Sequence, residues 1–189
     1  VSSNVDLVGI FGVNNLRVLS SGSITIQGNG VTSSTGNSFV PTQLKSSEYG
    51  PALWVATPSC NRSSRSGTAI SAVTVHTIQG SYAGAISWAQ NCSANVSYHY
   101  VARSSDGQIT QMVLEAQKAW HVGSANPYAI GIEHEGYVTD ASWYTNAMYT
   151  GSANLVKDIT QSGYGILPIR TFYGDATTGT NTLGSCTQI

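Results

Sequence analysis

Val73-Thr-Val-His76-Thr-Ile-Gln-Gly80 decides how this 189-residue chain is read. A β-branched run alternates into His76 and then breaks at a glycine, the pattern of a strand that carries an imidazole to the rim of a sheet. Ile130-Gly-Ile-Glu133-His-Glu135-Gly136 repeats the arrangement with carboxylates. In its apolar Ala-Ile-Gly-Ile setting Glu133 is expected to lose hydration and keep its proton toward neutral pH, which suits a general base. Glu135, two residues on, points to the same strand face, so spacing alone does not choose between them. A strand-borne histidine and a strand-borne glutamate together point to metal-assisted hydrolysis.

Working outward, Gly80 is followed by a short helix over Tyr82–Gln90 with Ile86 in its apolar stripe. Tyr98-His-Tyr-Val-Ala102 alternates as a strand, Ser104-Ser-Asp-Gly107 turns, and Gln108–Val113 returns beside it. Ala129–Glu135 is a further apolar strand. Met148, Ala153, Leu155, Val156 and Ile159 recur at helical spacing over Thr145–Ser162, with Gly163 as the stop. Ile166-Leu-Pro-Ile-Arg-Thr begins another extended segment. Helices mixed with strands predict an α/β domain with one mixed central sheet flanked by helices. Residues 48–189 form that domain. Residues 1–47 differ: Leu16–Ser20 and Ser23–Gln27 read as a small hairpin, followed by a turn-rich linker, a β-rich extension with no chemistry of its own.

Charged residues make up only 9% of the chain and the net charge is −1, so there is no basic footprint for nucleic acid. Surface polarity comes from Ser, Thr, Asn, Gln and Gly, a composition that suits a secreted or cell-envelope protein. No apolar run approaches the ~18 residues of a membrane span. Of the three cysteines, Cys60 and Cys92 lie in polar loops flanking the His76 strand and are expected to form a disulfide, leaving Cys186 over.

Four motifs stand in order: Val75-His76-Thr77, Ser97-Tyr-His-Tyr-Val-Ala-Arg-Ser-Ser-Asp-Gly107, Ala119-Trp-His-Val-Gly123 and Ile130–Gly136. The combination resembles the zinc-dependent N-acetylmuramoyl-L-alanine amidases, a family that includes a phage lysozyme and the peptidoglycan recognition proteins. The resemblance covers about residues 48–170. It implies hydrolysis of the amide joining N-acetylmuramic acid to the first L-alanine of the peptidoglycan stem peptide. It also implies Zn²⁺ held by two histidines and a Cys or Asp, with His76 matching the first histidine. By the same resemblance Glu133 is the general base, Tyr98 a donor to the developing oxyanion, and Trp120 and His121 line the peptidoglycan groove. His99 and His134, on the opposite faces of their strands, are read as structural.

The pattern departs from the family at its end. The second zinc histidine belongs in a late Gly-His motif, yet no histidine follows His134. Asp175 and Cys186 are weak substitutes because neither follows a histidine. The expectation is therefore a chain that stops short of its last strand and remaining zinc ligands, binds metal weakly as it stands and turns over poorly. The alternatives are a peptidoglycan-binding module without hydrolysis and a surface-assembly domain of the same fold.

Overall fold

In the computed structural model, which describes residues 43–169, seven strands and two α-helices follow in chain order. They are β1 (Leu53–Trp54), β2 (Arg62–Ser64), β3 (Ala72–Thr77), α1 (Tyr82–Gln90), β4 (Tyr100–Ala102), β5 (Ile109–Gln111), β6 (Gln117–Ala119), β7 (Ala129–His134) and α2 (Asn146–Gln161). Five of the strands form one sheet in the order β1-β5-β4-β7-β3, and β2 pairs with β6 in a second, two-stranded sheet. The pairs β1–β5, β4–β7 and β3–β7 are parallel and β4–β5 is antiparallel, so the central sheet is mixed as the sequence predicts.

The helices begin and end where their capping residues require. The Ser81 hydroxyl accepts the Gly84 N–H at the start of α1, and the Thr145 hydroxyl accepts the Met148 N–H at the start of α2. At the far end of α2, Gly163 takes a φ of 89° and the helix stops. Thr145–Ser162 in the sequence reading is thus the helix with both of its caps.

Alternation along the strands divides the core into two layers. Tyr100, Ala102, Ile130 and Ile132 pack with Met148, Leu155 and Ile159 of α2 on one face. Tyr98, Val101 and Met112 pack with Tyr82, Ala85 and Ala89 of α1 on the other. The alanines of α1 keep that helix close to the sheet. At ~25 cal/mol per Å² of apolar surface, each large side chain fully buried here contributes roughly 1.5–3 kcal/mol.

Arg65, next to β2, has a buried guanidinium with no carboxylate on it. It donates instead to the carbonyls of Glu115, Asn126, Pro127 and Ala129 at 2.6–3.2 Å, tying three chain segments together. Cys60 and Cys92 are joined, as expected from the sequence. Lys45 bridges to Leu53, and Ser46 is buried against Gln111, so the packed domain takes in residues just before Glu48. The hairpin expected within residues 1–47, the candidates Asp175 and Cys186, and the continuation of the extended segment past Ile169 lie outside the described residues. Ile166–Ile169 itself forms no strand.

Candidate active site

Parallel register sets His76 of β3 directly opposite Glu133 of β7, so two residues far apart in sequence become Cα partners on one face of the sheet. That face is the α1 side, where Val101 of β4 is the other neighbour of Glu133. Beside it lies a cavity of about 380 Å³, lined by Glu133, Tyr98, Trp120 and His121 together with residues of α1 and of the Ile78–Ser81 loop. His76 adjoins the cavity through His121: its Nε2 lies 3.0 Å from His121 Nδ1.

Burial pushes the Glu133 carboxyl up to about 7. Its Oε2 is buried and has no hydrogen-bond partner among the described residues. A carboxyl with one buried, unpartnered oxygen at the wall of a cavity is suited to take a proton at neutral pH. Glu135 has a partner on each oxygen. Its Oε1 accepts the Tyr82 N–H at 2.9 Å and its Oε2 accepts the Ser104 N–H at 2.8 Å, so it staples the start of α1 to the β4–β5 turn. Of the two glutamates that spacing left open, Glu133 is thus the one with an unpartnered oxygen.

Tyr98 is buried beneath α1, and its hydroxyl donates to the Ala85 carbonyl. Burial, and next the Glu133 charge, push its phenol above the ordinary range, which keeps it a neutral donor. The expected oxyanion role would require the hydroxyl to leave Ala85. Trp120 donates its indole N–H to Ser63 Oγ at 3.1 Å, and its backbone N–H goes to Ser97 Oγ at 2.9 Å. The indole is therefore a fixed wall of the cavity.

Both rings of the His76–His121 pair are held neutral. Burial lowers His76, with His134 adding to the effect; burial and then His76 lower His121 to about 3. Opposing this, the Ala129 carbonyl favours a proton on the His121 ring. His121 Nε2 is buried without a partner of normal hydrogen-bond geometry.

His99 and His134 take structural positions. The Gly131 N–H donates to His99 Nδ1 at 3.0 Å, so the proton of that buried ring sits on Nε2 and is donated to the Gln117 carbonyl at 3.0 Å. The Arg65 Nη2 contact with the same Nε2 then joins two donors and is not a hydrogen bond. His134 Nδ1 meets the His76 carbonyl at 3.2 Å across the strand pair.

Trp88 was missed in the sequence. It is 55% exposed on α1 and lines the cavity with Gly84, one turn earlier. The spacing of Ser81, Gly84 and Trp88 on a short helix was the available signal. Gln79, at a φ of 56°, also lines the cavity.

A catalytic zinc ion takes three protein ligands. His76, a neutral imidazole at the cavity's edge, has the right chemistry for one. Among the described residues there is no group of three His, Cys, Asp or Glu side chains placed to hold an ion. Residues 43–169 therefore do not by themselves make a zinc site.

Comparison with known proteins bears on this geometry. Residues 66–184 match the family described as N-acetylmuramoyl-L-alanine amidase. Over 112 residues the chain is 53% identical to N-acetylmuramoyl-L-alanine amidase A of Achromobacter lyticus, a match that takes in 59% of this chain and 63% of that protein. The chain thus spans only part of that relative's length. The Staphylococcus aureus hydrolase AmiA, solved in complex with its ligand, aligns with a TM-score of 0.52 at 21% identity, over 68% of this chain and 62% of that one. That likeness concerns the fold.

Proposed function

Because the chain belongs to the N-acetylmuramoyl-L-alanine amidase family, we propose that it hydrolyses peptidoglycan at the amide between N-acetylmuramic acid and the first L-alanine of the stem peptide. The observation that carries the reading is Glu133, with one oxygen buried and unpartnered, beside its strand partner His76 at the edge of a cavity. In the proposed reaction Glu133 takes a proton from the attacking water. It returns that proton to the departing alanine nitrogen, so one group serves first as base and then as acid. The Tyr98 hydroxyl turns from Ala85 to the developing oxyanion, a role typically worth ~10²–10³-fold for one donor. Trp120 and His121 hold the substrate against the wall they form.

Zinc is typical of the family, and we take Zn²⁺ as the cofactor with His76 as one ligand. When bound, such an ion lowers the pKa of a coordinated water and polarises a carbonyl. No helix among the described residues is long and apolar enough to cross a membrane. The substrate class, the amide-rich surface and the Cys60–Cys92 disulfide support action at the cell wall or outside the cell.

The test is digestion of purified peptidoglycan by the chain and by its Glu133→Gln variant. Slow release of new amino-terminal alanine, without new reducing sugar ends, is expected from the first and none from the second. Equal background from both would overturn the hydrolytic reading. If the chain then sediments with insoluble peptidoglycan, it is a binding module instead; release of reducing ends would mean that a glycosidic bond is cut.

A further inference from the structure

The proposed reaction leaves one wall of the cavity without a task, the face of α1. We propose that Trp88 is a specificity-determining residue whose indole takes the N-acetylmuramic acid ring of the substrate, with Ser81 and Gln79 donating to the oxygens around that ring. The identity of the sugar rests on the amidase reading; the shape and chemistry of the subsite rest on the fold.

Ser81, Gly84, Ala85 and Trp88 recur at helical spacing and all line the cavity. The first three are small, so this wall is a bare strip that ends in one large ring. A Cβ at Gly84 would come within 2.9 Å of Ser81 Oγ, so the glycine leaves that hydroxyl uncrowded. From Ser81 to Trp88 the helix rises about 10 Å, a length that suits a hexose with its N-acyl arm. Trp88 is 55% exposed while Tyr82 of the same helix is buried, so the indole is open to a ligand. Its mount is rigid. The Trp88 carbonyl accepts the Asn91 N–H at 3.0 Å, the Asn61 side chain donates to the Ala89 and Asn91 carbonyls at 3.0 and 2.7 Å, and Cys92 just beyond is held by Cys60. The wall formed by the loop after β6 is equally fixed: Ser63 holds the Trp120 indole, and the His121 ring lies on Gly131, where a Cβ would come within 2.6 Å of Nδ1.

The chemistry of the wall favours a ring over a peptide. A helix spends its backbone N–H and C=O groups on itself, so α1 offers an extended peptide no ladder to pair with. It offers instead an aromatic face with donors nearby. Ser81 Oγ accepts the Gly84 N–H, which leaves its own hydrogen to donate. Gln79 Oε1 accepts the Val138 N–H at 3.3 Å, which leaves its amide –NH₂ for a ligand. A pyranose is the complement of such a wall: its C–H face is apolar, and its hydroxyl and N-acetyl oxygens accept hydrogen bonds. Stacking on a large, rigid aromatic ring is worth up to about tenfold in affinity beyond the area it buries.

The experiment measures, by titration calorimetry, the binding of two probes that share a peptide and differ in the sugar: N-acetylmuramoyl-L-alanyl-D-isoglutamine and D-lactoyl-L-alanyl-D-isoglutamine. The full chain carries Glu133→Gln so that neither probe is consumed, and is compared with the same chain bearing Trp88→Ala or Trp88→Phe. With Trp88 present, the sugar-bearing probe is expected to bind about tenfold more tightly than the lactoyl peptide. Trp88→Ala should bring that ratio to about 1 while leaving the lactoyl peptide's affinity unchanged, which also shows that the variant folds. Trp88→Phe keeps an aromatic face and should keep most of the ratio. Equal losses for both probes in Trp88→Ala would place Trp88 on the peptide and overturn the proposal. So would a ratio near 1 with Trp88 present, a ratio that survives Trp88→Ala, or binding of neither probe. Release of amino-terminal alanine tests the amidase reading separately: without it, a Trp88-dependent ratio still stands and describes a binding module, whereas release together with a ratio near 1 sinks this proposal alone.

Discussion

At Glu133 the fold buries one carboxylate oxygen and supplies no partner, while at Glu135 it supplies two N–H donors. The difference predicts opposite behaviour on substitution. In the unfolded chain the Glu133 carboxyl ionises near its ordinary 4.5, but in the fold it holds its proton to about 7. Below 4.5 both states are protonated and there is no penalty; as pH rises toward 7 the unfolded state releases its proton first, and native stability falls. Glu133→Gln, a permanent mimic of the protonated form, is therefore expected to leave Tm unchanged at pH 4 and, at pH 8, to raise stability by about 1–3 kcal/mol and Tm with it, while abolishing hydrolysis. A lower Tm at pH 8 would show that the carboxylate is stabilised in the fold. Glu135→Ala, by contrast, strands the N–H groups of Tyr82 and Ser104 and should cost about 2–4 kcal/mol by urea unfolding at neutral pH. The alternation of the strand made both glutamates visible as candidates. Which one keeps its lone pairs free was not legible, because that depends on where the α1 start and the β4–β5 turn come to rest.

Among the elements, α2 packs by backbone contact on the β4–β5 hairpin. Gly107, at a φ of 73°, and Gly151 of α2 approach so closely that a Cβ on either would overlap a backbone carbonyl of the other segment. An alanine inside a helix ordinarily gains ~1 kcal/mol over glycine. Gly151→Ala is nevertheless expected to destabilise by about 1–3 kcal/mol, because the contact it invades is main chain and has no rotamer to yield. A thermal melt at or above the parent Tm would show that α2 moves away freely. Both helices were legible from their apolar residues, α2 also from its Gly163 stop, as were β3, β7 and the Asp106-Gly107 turn. β1, β2 and β6, of two or three residues each, were not, because runs so short carry no period. They matter to the site all the same: β6 ends at Ala119 and delivers Trp120 and His121, and Ser63 of β2 holds the Trp120 indole.

Across the whole domain, the Cys60–Cys92 disulfide closes a separation of 32 residues that contains all of β3 and α1. By chain entropy such a closure contributes about 3–4 kcal/mol. Replacing both cysteines by serine should lower Tm by about 10 °C, and reductant should do the same to the parent; a parent melt insensitive to reductant would count against the bond's contribution. Composition, the order of the motifs and the spacing of turn and apolar residues determined the fold class, the family resemblance and the short list of reactive side chains, since those depend on local period and residue type. Tertiary structure alone decided that His76 faces Glu133, that Glu135 is a staple, that Tyr98 is tied to α1, and that His121 sits on Gly131 against His76. Each is a contact between segments separated in sequence, set by strand register and by the space one glycine leaves, and neither quantity is written in the local pattern of the chain.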